Sequence, residues 1–135
     1  PLCDWSSDVC SSDLEGLQRS GLRPRAIVYG LIEALIADNR PEEALAVATD
    51  EISLTTQDPQ LYQYQARASA LLGKRLAQHR AQAEAYVLNG QYQAAIEQLE
   101  LAQRAADGDF YQQSTVDARL RELRERLAEQ RRDGL

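Results

Sequence analysis

The chain has 135 residues, with 15 basic against 21 acidic side chains for a net charge of −6, and it contains two Cys, one Trp and no Met. That length suits one domain with a core of its own, while the excess of acid argues against nucleic-acid binding, which needs a basic face to neutralise phosphates. No apolar run approaches the roughly 18 residues that span a bilayer, and the absent Met predicts a processed chain or a piece of a longer one.

Residues 1–14, PLCDWSSDVCSSDL, hold both Cys and the Trp and share no pattern with the rest of the chain. Back-translated in one frame, positions 4–14 resemble a common sequencing-library adapter, so we read 1–14 as a non-native, disordered segment. A signal peptide needs a basic start and an apolar run, and neither is here. Cys3 and Cys10 have no partner His or further Cys that would suggest a metal site. Setting these residues aside leaves 121 with 18 acidic and 15 basic side chains, a net charge of −3, and no redox inference. An adapter joined upstream implies a lost natural N-terminus.

Residues 15–24 carry two Gly and a Pro and read as a linker or the remnant of a lost repeat. Beyond them Ala, Leu, Gln, Glu and Arg dominate, a helix-forming composition without β-branched alternation. Breakers at Asn39–Pro41, Gln57–Pro59, Gly73–Lys74, Asn89–Gly90 and Asp107–Asp109 divide the remainder into six helices of about 13 to 20 residues. The short turns between them suit antiparallel neighbours.

The first helix offers Val28, Leu31, Ile32 and Leu35 as its apolar stripe. Pro41 suits a first helical position of the second, where Glu42 and Glu43 meet the positive end of the helix dipole. Asp58 and Asp109 are candidate N-caps of the third and sixth, and Gly73 and Gly90 can take the left-handed conformation that closes a helix. The fourth helix, about 76–89, holds the lone His79, a surface residue on this reading. The fifth buries Tyr92, Ala95, Ile96, Leu99 and Ala102. The sixth, about 110–130, carries Val116, Leu120, Leu123 and Leu127 amid arginines, with Glu122 four residues before Arg126. That stripe fits a coiled-coil seam or the inner face of a solenoid cap, and we favour the cap.

From Asn39 to Gly73 is 34 residues, the period of the tetratricopeptide repeat. The clearest copy runs Tyr86, Gly90, Tyr92, Ala95, Leu99, Ala102. Small residues let helices approach and large ones fill the grooves between hairpins. A looser copy has Leu31, Leu35, Asn39, Ala44 and Ala48, and a middle one departs, with Gln78 where a small residue belongs. Gly73 to Gly90 is half a period, so the fourth helix must end one unit and begin the next. The expected fold is therefore all-α: an antiparallel helical-hairpin solenoid of tetratricopeptide type, with repeats over 25–109 and a long capping helix and tail over 110–135.

Catalysis finds no support in these residues. No HExxH, nucleophilic Cys, phosphate loop or calcium loop occurs, and adjacent acids such as Glu42 and Glu43 diverge on a helix. Binding fares better. In tetratricopeptide stacks the first helix of each hairpin lines a groove, and that family rule, applied to repeats starting at Arg25, Pro59 and Leu76, selects Tyr29, Glu33, Gln63, Arg67, Arg80 and Glu84. Their mix of amide, charge and ring suits an extended or helical peptide; ordinary solvated faces would look the same. An RNA-binding helical repeat would need a basic groove.

From Leu72 onward the chain resembles the C-terminal tail of bacterial beta-barrel assembly-enhancing proteases. The residues that carry this are Leu72-Gly73, Ala83-Glu84, Gly90, Ala95-Ile96, Leu99 and Ala102. More specific are Gln112-Gln113, Asp117-Ala118-Arg119-Leu120 and Leu123-Arg124, which lie outside the generic repeat. The resemblance implies a periplasmic zinc metallopeptidase acting in outer-membrane protein assembly and quality control. It places zinc only in a catalytic domain in cis, outside this chain, which needs no cofactor itself. The implied partners are the barrel-assembly machinery or its substrates. A free-standing tetratricopeptide adaptor or co-chaperone without a protease is the alternative. Loss of a preceding repeat would leave Ile27, Val28 and Leu31 exposed and the piece prone to self-association.

Overall fold

The computed structural model describes residues 24–134, and the segments read above as adapter and linker lie almost wholly outside them. The described residues form six helices and no strand: α1 (Arg25–Ala37), α2 (Pro41–Leu54), α3 (Pro59–Leu71), α4 (Arg75–Leu88), α5 (Tyr92–Arg104) and α6 (Phe110–Asp133). None is long and apolar enough to cross a membrane. Two compact units divide the chain, residues 1–31 and 32–135. In the first, the start of α1 is closed by Ile27 N–H and Val28 N–H donating to Pro24 O at 3.0 and 3.3 Å. In the second, each helix packs on the next, α2 on α3, α3 on α4, α4 on α5 and α5 on α6. This is the all-α stack of antiparallel helical hairpins of tetratricopeptide type that the 34-residue spacing predicts.

Three of the turns share one construction. Asn39, Gly73 and Gly90 take positive φ of 61°, 75° and 76°. The next N–H then reaches back five residues, Arg40 to Leu35 O at 2.8 Å, Lys74 to Ser69 O at 2.9 Å and Gln91 to Tyr86 O at 2.9 Å. This closure satisfies carbonyls that the helix end leaves open, and Gly or Asn permits it because larger side chains clash in the left-handed region. The turn joins α3 to α4 and again α4 to α5, so α4 is the second helix of one hairpin and the first of the next.

The remaining two connections use aspartates. Asp58 accepts from Gln60 N–H at 3.0 Å at the start of α3. Asp109 accepts from Gln112 N–H at 2.8 Å while Gln112 Oε1 accepts from Asp109 N–H at 3.1 Å, a reciprocal capping box that opens α6. A third aspartate acts at a distance. Asp107, in the α5–α6 loop, accepts from Arg75 N–H at 2.6 Å and Leu76 N–H at 3.2 Å, capping α4, whose own N-cap residue Lys74 makes no side-chain cap bond. The loop fits closely there, since a Cβ added to Gly108 would lie 2.2 Å from Leu76 Cδ1.

A hydrophobic core lies at the C-terminal end, where Leu76 and Ala83 of α4, Ala95, Ile96, Leu99 and Ala102 of α5, and Val116, Leu120 and Leu123 of α6 form one buried cluster, with Leu127 packed against it. The α6 stripe thus faces the stack as a cap. Polar bonds line the α5–α6 rim, Gln103 Nε2 to Asp117 Oδ1 at 2.6 Å and Arg124 Nη2 to Glu100 Oε1 at 3.3 Å. Beside the half-buried Gln78, the misfit of the middle repeat, Ala81 and Ala83 supply the small buried residues of α4.

Two expectations need correction. Val28 is only 3% exposed, with Ile27 and Leu31 half-buried, so the N-terminal stripe does not lie open to solvent. Among the described residues the large apolar side chains that do face solvent are Leu54, Leu71, Leu101, Phe110 and Tyr111, all but Leu101 at helix ends. His79 is half-buried and not a surface residue, and its Nδ1 lies 2.9 Å from Gln98 Oε1, linking α4 to α5.

Candidate functional site

The α3–α4 hairpin has a cleft on each side, because residues about 100° apart along a helix sort onto distinct faces. On one side Gln63, Ala66 and Arg67 of α3 face Gln82, Ala85, Tyr86 and Asn89 at the end of α4, around a cleft of about 360 Å³. Ala66 and Ala85 are buried and form its floor. Small residues at both positions let the helices approach while longer side chains rise around them. Arg67 is exposed and makes no ion pair among the described residues. The arrangement offers one cation, three primary amides that both donate and accept, and a ring, which suits hydrogen bonding to an extended backbone and to an acidic side chain.

On the opposite side lies a cleft of about 420 Å³ bounded by Leu45 and Thr49 of α2, Gln65 and Ser69 of α3, Lys74 in the turn, and Ala77, Arg80, Ala81 and Glu84 of α4, with Gln112 at its edge. Gln65 Nε2 donates to Thr49 Oγ1 at 3.2 Å and Thr49 Oγ1 to Leu45 O at 2.8 Å.

Glu84 also reaches a third cleft, with Tyr62, Tyr92, Arg119 and Arg126, where it is held firmly. Arg119 donates to it from Nε at 2.9 Å and Nη2 at 2.8 Å, and from Nη1 to Glu122 Oε2 at 2.7 Å. Arg126 completes the chain at 3.1 Å from Glu122. Burial disfavours the Arg119 charge, but the hydrogen bonds to Glu84 and then Glu122 outweigh it and hold the guanidinium above its usual range. The hydrogen bond from Arg119, and then its charge, hold the Glu122 carboxyl below the usual range. Burial, with the Glu84 charge second, raises the phenol of Tyr62.

The six residues selected by the groove rule therefore do not line one surface. Gln63 and Arg67 come together in the first cleft. Arg80 and Glu84 share the second, since α4 follows α3 as its hairpin partner and these residues lie on its other face. Glu33 is exposed and accepts from the Tyr64 hydroxyl, while Tyr29 is half-buried in the separate unit of residues 1–31. Sequence reasoning missed Gln82, Tyr86 and Asn89 as site residues. In the sequence Tyr86 reads as repeat packing and Asn89 as a breaker, although their spacing of four and three places them on one helical face. Nor does local pattern point to Arg119 as the partner of Glu84, 35 residues away.

Among the described residues no group of three His, Cys, Asp or Glu could hold a metal ion. No protein-family model, curated protein or solved structure matches the chain.

Proposed function

We propose that the chain is a protein-interaction module that holds an extended peptide in the cleft of Gln63, Arg67, Gln82, Tyr86 and Asn89. The observation that carries this is the exposed Arg67, without an ion pair among the described residues, standing among three amides and a ring over an alanine floor. Binding by side-chain hydrogen bonds to a backbone, with one charge selecting an acidic residue, is the chemistry such a cleft supports. The role is binding, without catalysis and without a cofactor in this chain.

The resemblance of the region from Leu72 onward supports a more specific reading. The module then belongs to a periplasmic zinc metallopeptidase of outer-membrane protein assembly and docks on the barrel-assembly machinery or its substrates. An array of peptides tiled from barrel-assembly subunits and outer-membrane barrels tests both levels. Peptides carrying an acidic residue bind, and Arg67→Glu and Tyr86→Ala each weaken them about tenfold or more while the fold is retained. Binding indifferent to both substitutions would overturn the cleft. Upstream coding sequence with an HExxH helix supports the protease, whereas further repeats support a free-standing adaptor or co-chaperone.

A further inference from the structure

The second cleft carries an inference independent of the peptide reading. Ser69 lines it, is 0% exposed, and its hydroxyl has no hydrogen-bond partner. A hydroxyl buried in that way is expensive, about 1–3 kcal/mol, unless something bonds it. Lys74 and Arg80 line the same cleft, and neither makes an ion pair among the described residues. The cations that do find carboxylates, Arg40, Arg119, Arg124 and Arg126, lie outside the lining of this cleft. The single carboxylate lining the cleft, Glu84, is already neutralised by Arg119 at 2.8 Å. Two available cations and an unused hydroxyl thus belong to residues that line one polar space of about 420 Å³.

We propose that this cleft is an oxyanion site that takes a tetrahedral dianionic group, phosphate in class. Ser69 Oγ donates to one oxygen at the floor, and Lys74 and Arg80 neutralise the charge at the mouth. Two such cations match a dianion better than a carboxylate, and each charge-assisted bond is about twice as strong as a neutral one. The binding step is non-covalent and leaves the protein unchanged.

Titration of the full chain with inorganic phosphate at constant ionic strength, followed by the amide resonances of Ser69, Lys74 and Arg80, tests this directly. Saturable shifts are expected, with Lys74→Ala and Arg80→Ala each weakening the affinity about tenfold. Acetate should give no saturable shift, and Arg67→Glu should leave phosphate binding unchanged, which separates this site from the peptide cleft. Ser69→Ala raises the melting midpoint without phosphate, by removing the unsatisfied group. It also reduces the further rise that phosphate produces, a readout that a purely structural role would not move. The proposal is overturned by any of three results: no saturable phosphate shift, affinity unchanged by both charge substitutions, or acetate binding as tightly as phosphate.

Discussion

The two ends of the second unit are built from different residues. From α4 to α6 the buried positions are mainly Leu, Ile and Val, which interlock as one cluster closed by the α6 stripe. From α2 to α4 they are mainly Ala, with Ala44, Ala48, Ala66, Ala68, Ala81 and Ala85 all buried and only Leu61 and Tyr64 as large partners on α3. Hydrophobic stabilisation scales with the apolar area removed from water, so the C-terminal end contributes more of it. The alanine-packed end instead brings backbones close and leaves long polar side chains standing beside shallow floors. The cleft proposed for a peptide lies wholly there, and the one proposed for an oxyanion almost wholly so. Apolar burial is concentrated at one end of the stack and the two proposed binding clefts at the other.

The contrast predicts opposite responses to a change of volume. Leu99, fully buried in the α5 stripe, should give the largest effect: Leu99→Ala leaves a cavity and lowers unfolding stability by about 3–5 kcal/mol in urea titration. In the alanine-packed end the damaging change is the reverse one. Ala68→Leu, at a site with no exposed surface, forces α3 away from its neighbours and costs about 1–3 kcal/mol, and it should also weaken peptide capture through the adjoining cleft. If Leu99→Ala cost less than Ala68→Leu, the division between a stabilising and a recognising end would be wrong.

Asp107 is the next most informative position, because it ties the two ends together through the start of α4. Asp107→Ala removes a cap with two backbone partners and should lower stability by about 1 kcal/mol. Amide exchange would localise the loss to the first turn of α4. Faster exchange confined to the α5–α6 loop would mean that the carboxylate stiffens its own loop without serving α4.

The features legible in the sequence are those set by local chemistry. Asn39, Gly73 and Gly90 mark the helix ends because a left-handed residue is needed there, and Asp58 and Asp109 mark helix starts because short acidic side chains reach backbone N–H groups. Spacing of three and four exposes the α5 and α6 stripes. The site is less legible, because its members depend on which face of α4 meets α3. Repeat numbering gives α4 the role of a first helix and so selects Arg80 and Glu84, whereas the cleft proposed for a peptide is lined by Gln82, Tyr86 and Asn89 on another face. Contacts across long separations, such as Asp107 to Arg75 and Arg119 to Glu84, depend on tertiary docking and leave no trace in local pattern.

The smallest expected effect concerns how α6 is held. Apolar burial through Val116, Leu120 and Leu123 and the bond from Arg119 to Glu84 of α4 both fasten it, and Glu122 holds the Arg119 guanidinium from within α6. Glu122 is half-exposed, so its share is modest, below about 1 kcal/mol after solvent screening. Its sign is nonetheless definite. The hydrogen bond from Arg119 and then the Arg119 charge depress the folded pKa of Glu122 below its unfolded value. The stabilisation is therefore complete above that unfolded value, about 4.3, and is lost as pH falls through the lower, folded one. Glu122→Gln should flatten this part of the acid limb while leaving the shape of the curve near neutral pH unchanged. An identical acid limb in the variant would mean that the Arg119–Glu122 pair within α6 adds nothing measurable, leaving apolar burial and the Arg119–Glu84 bond to dock the helix.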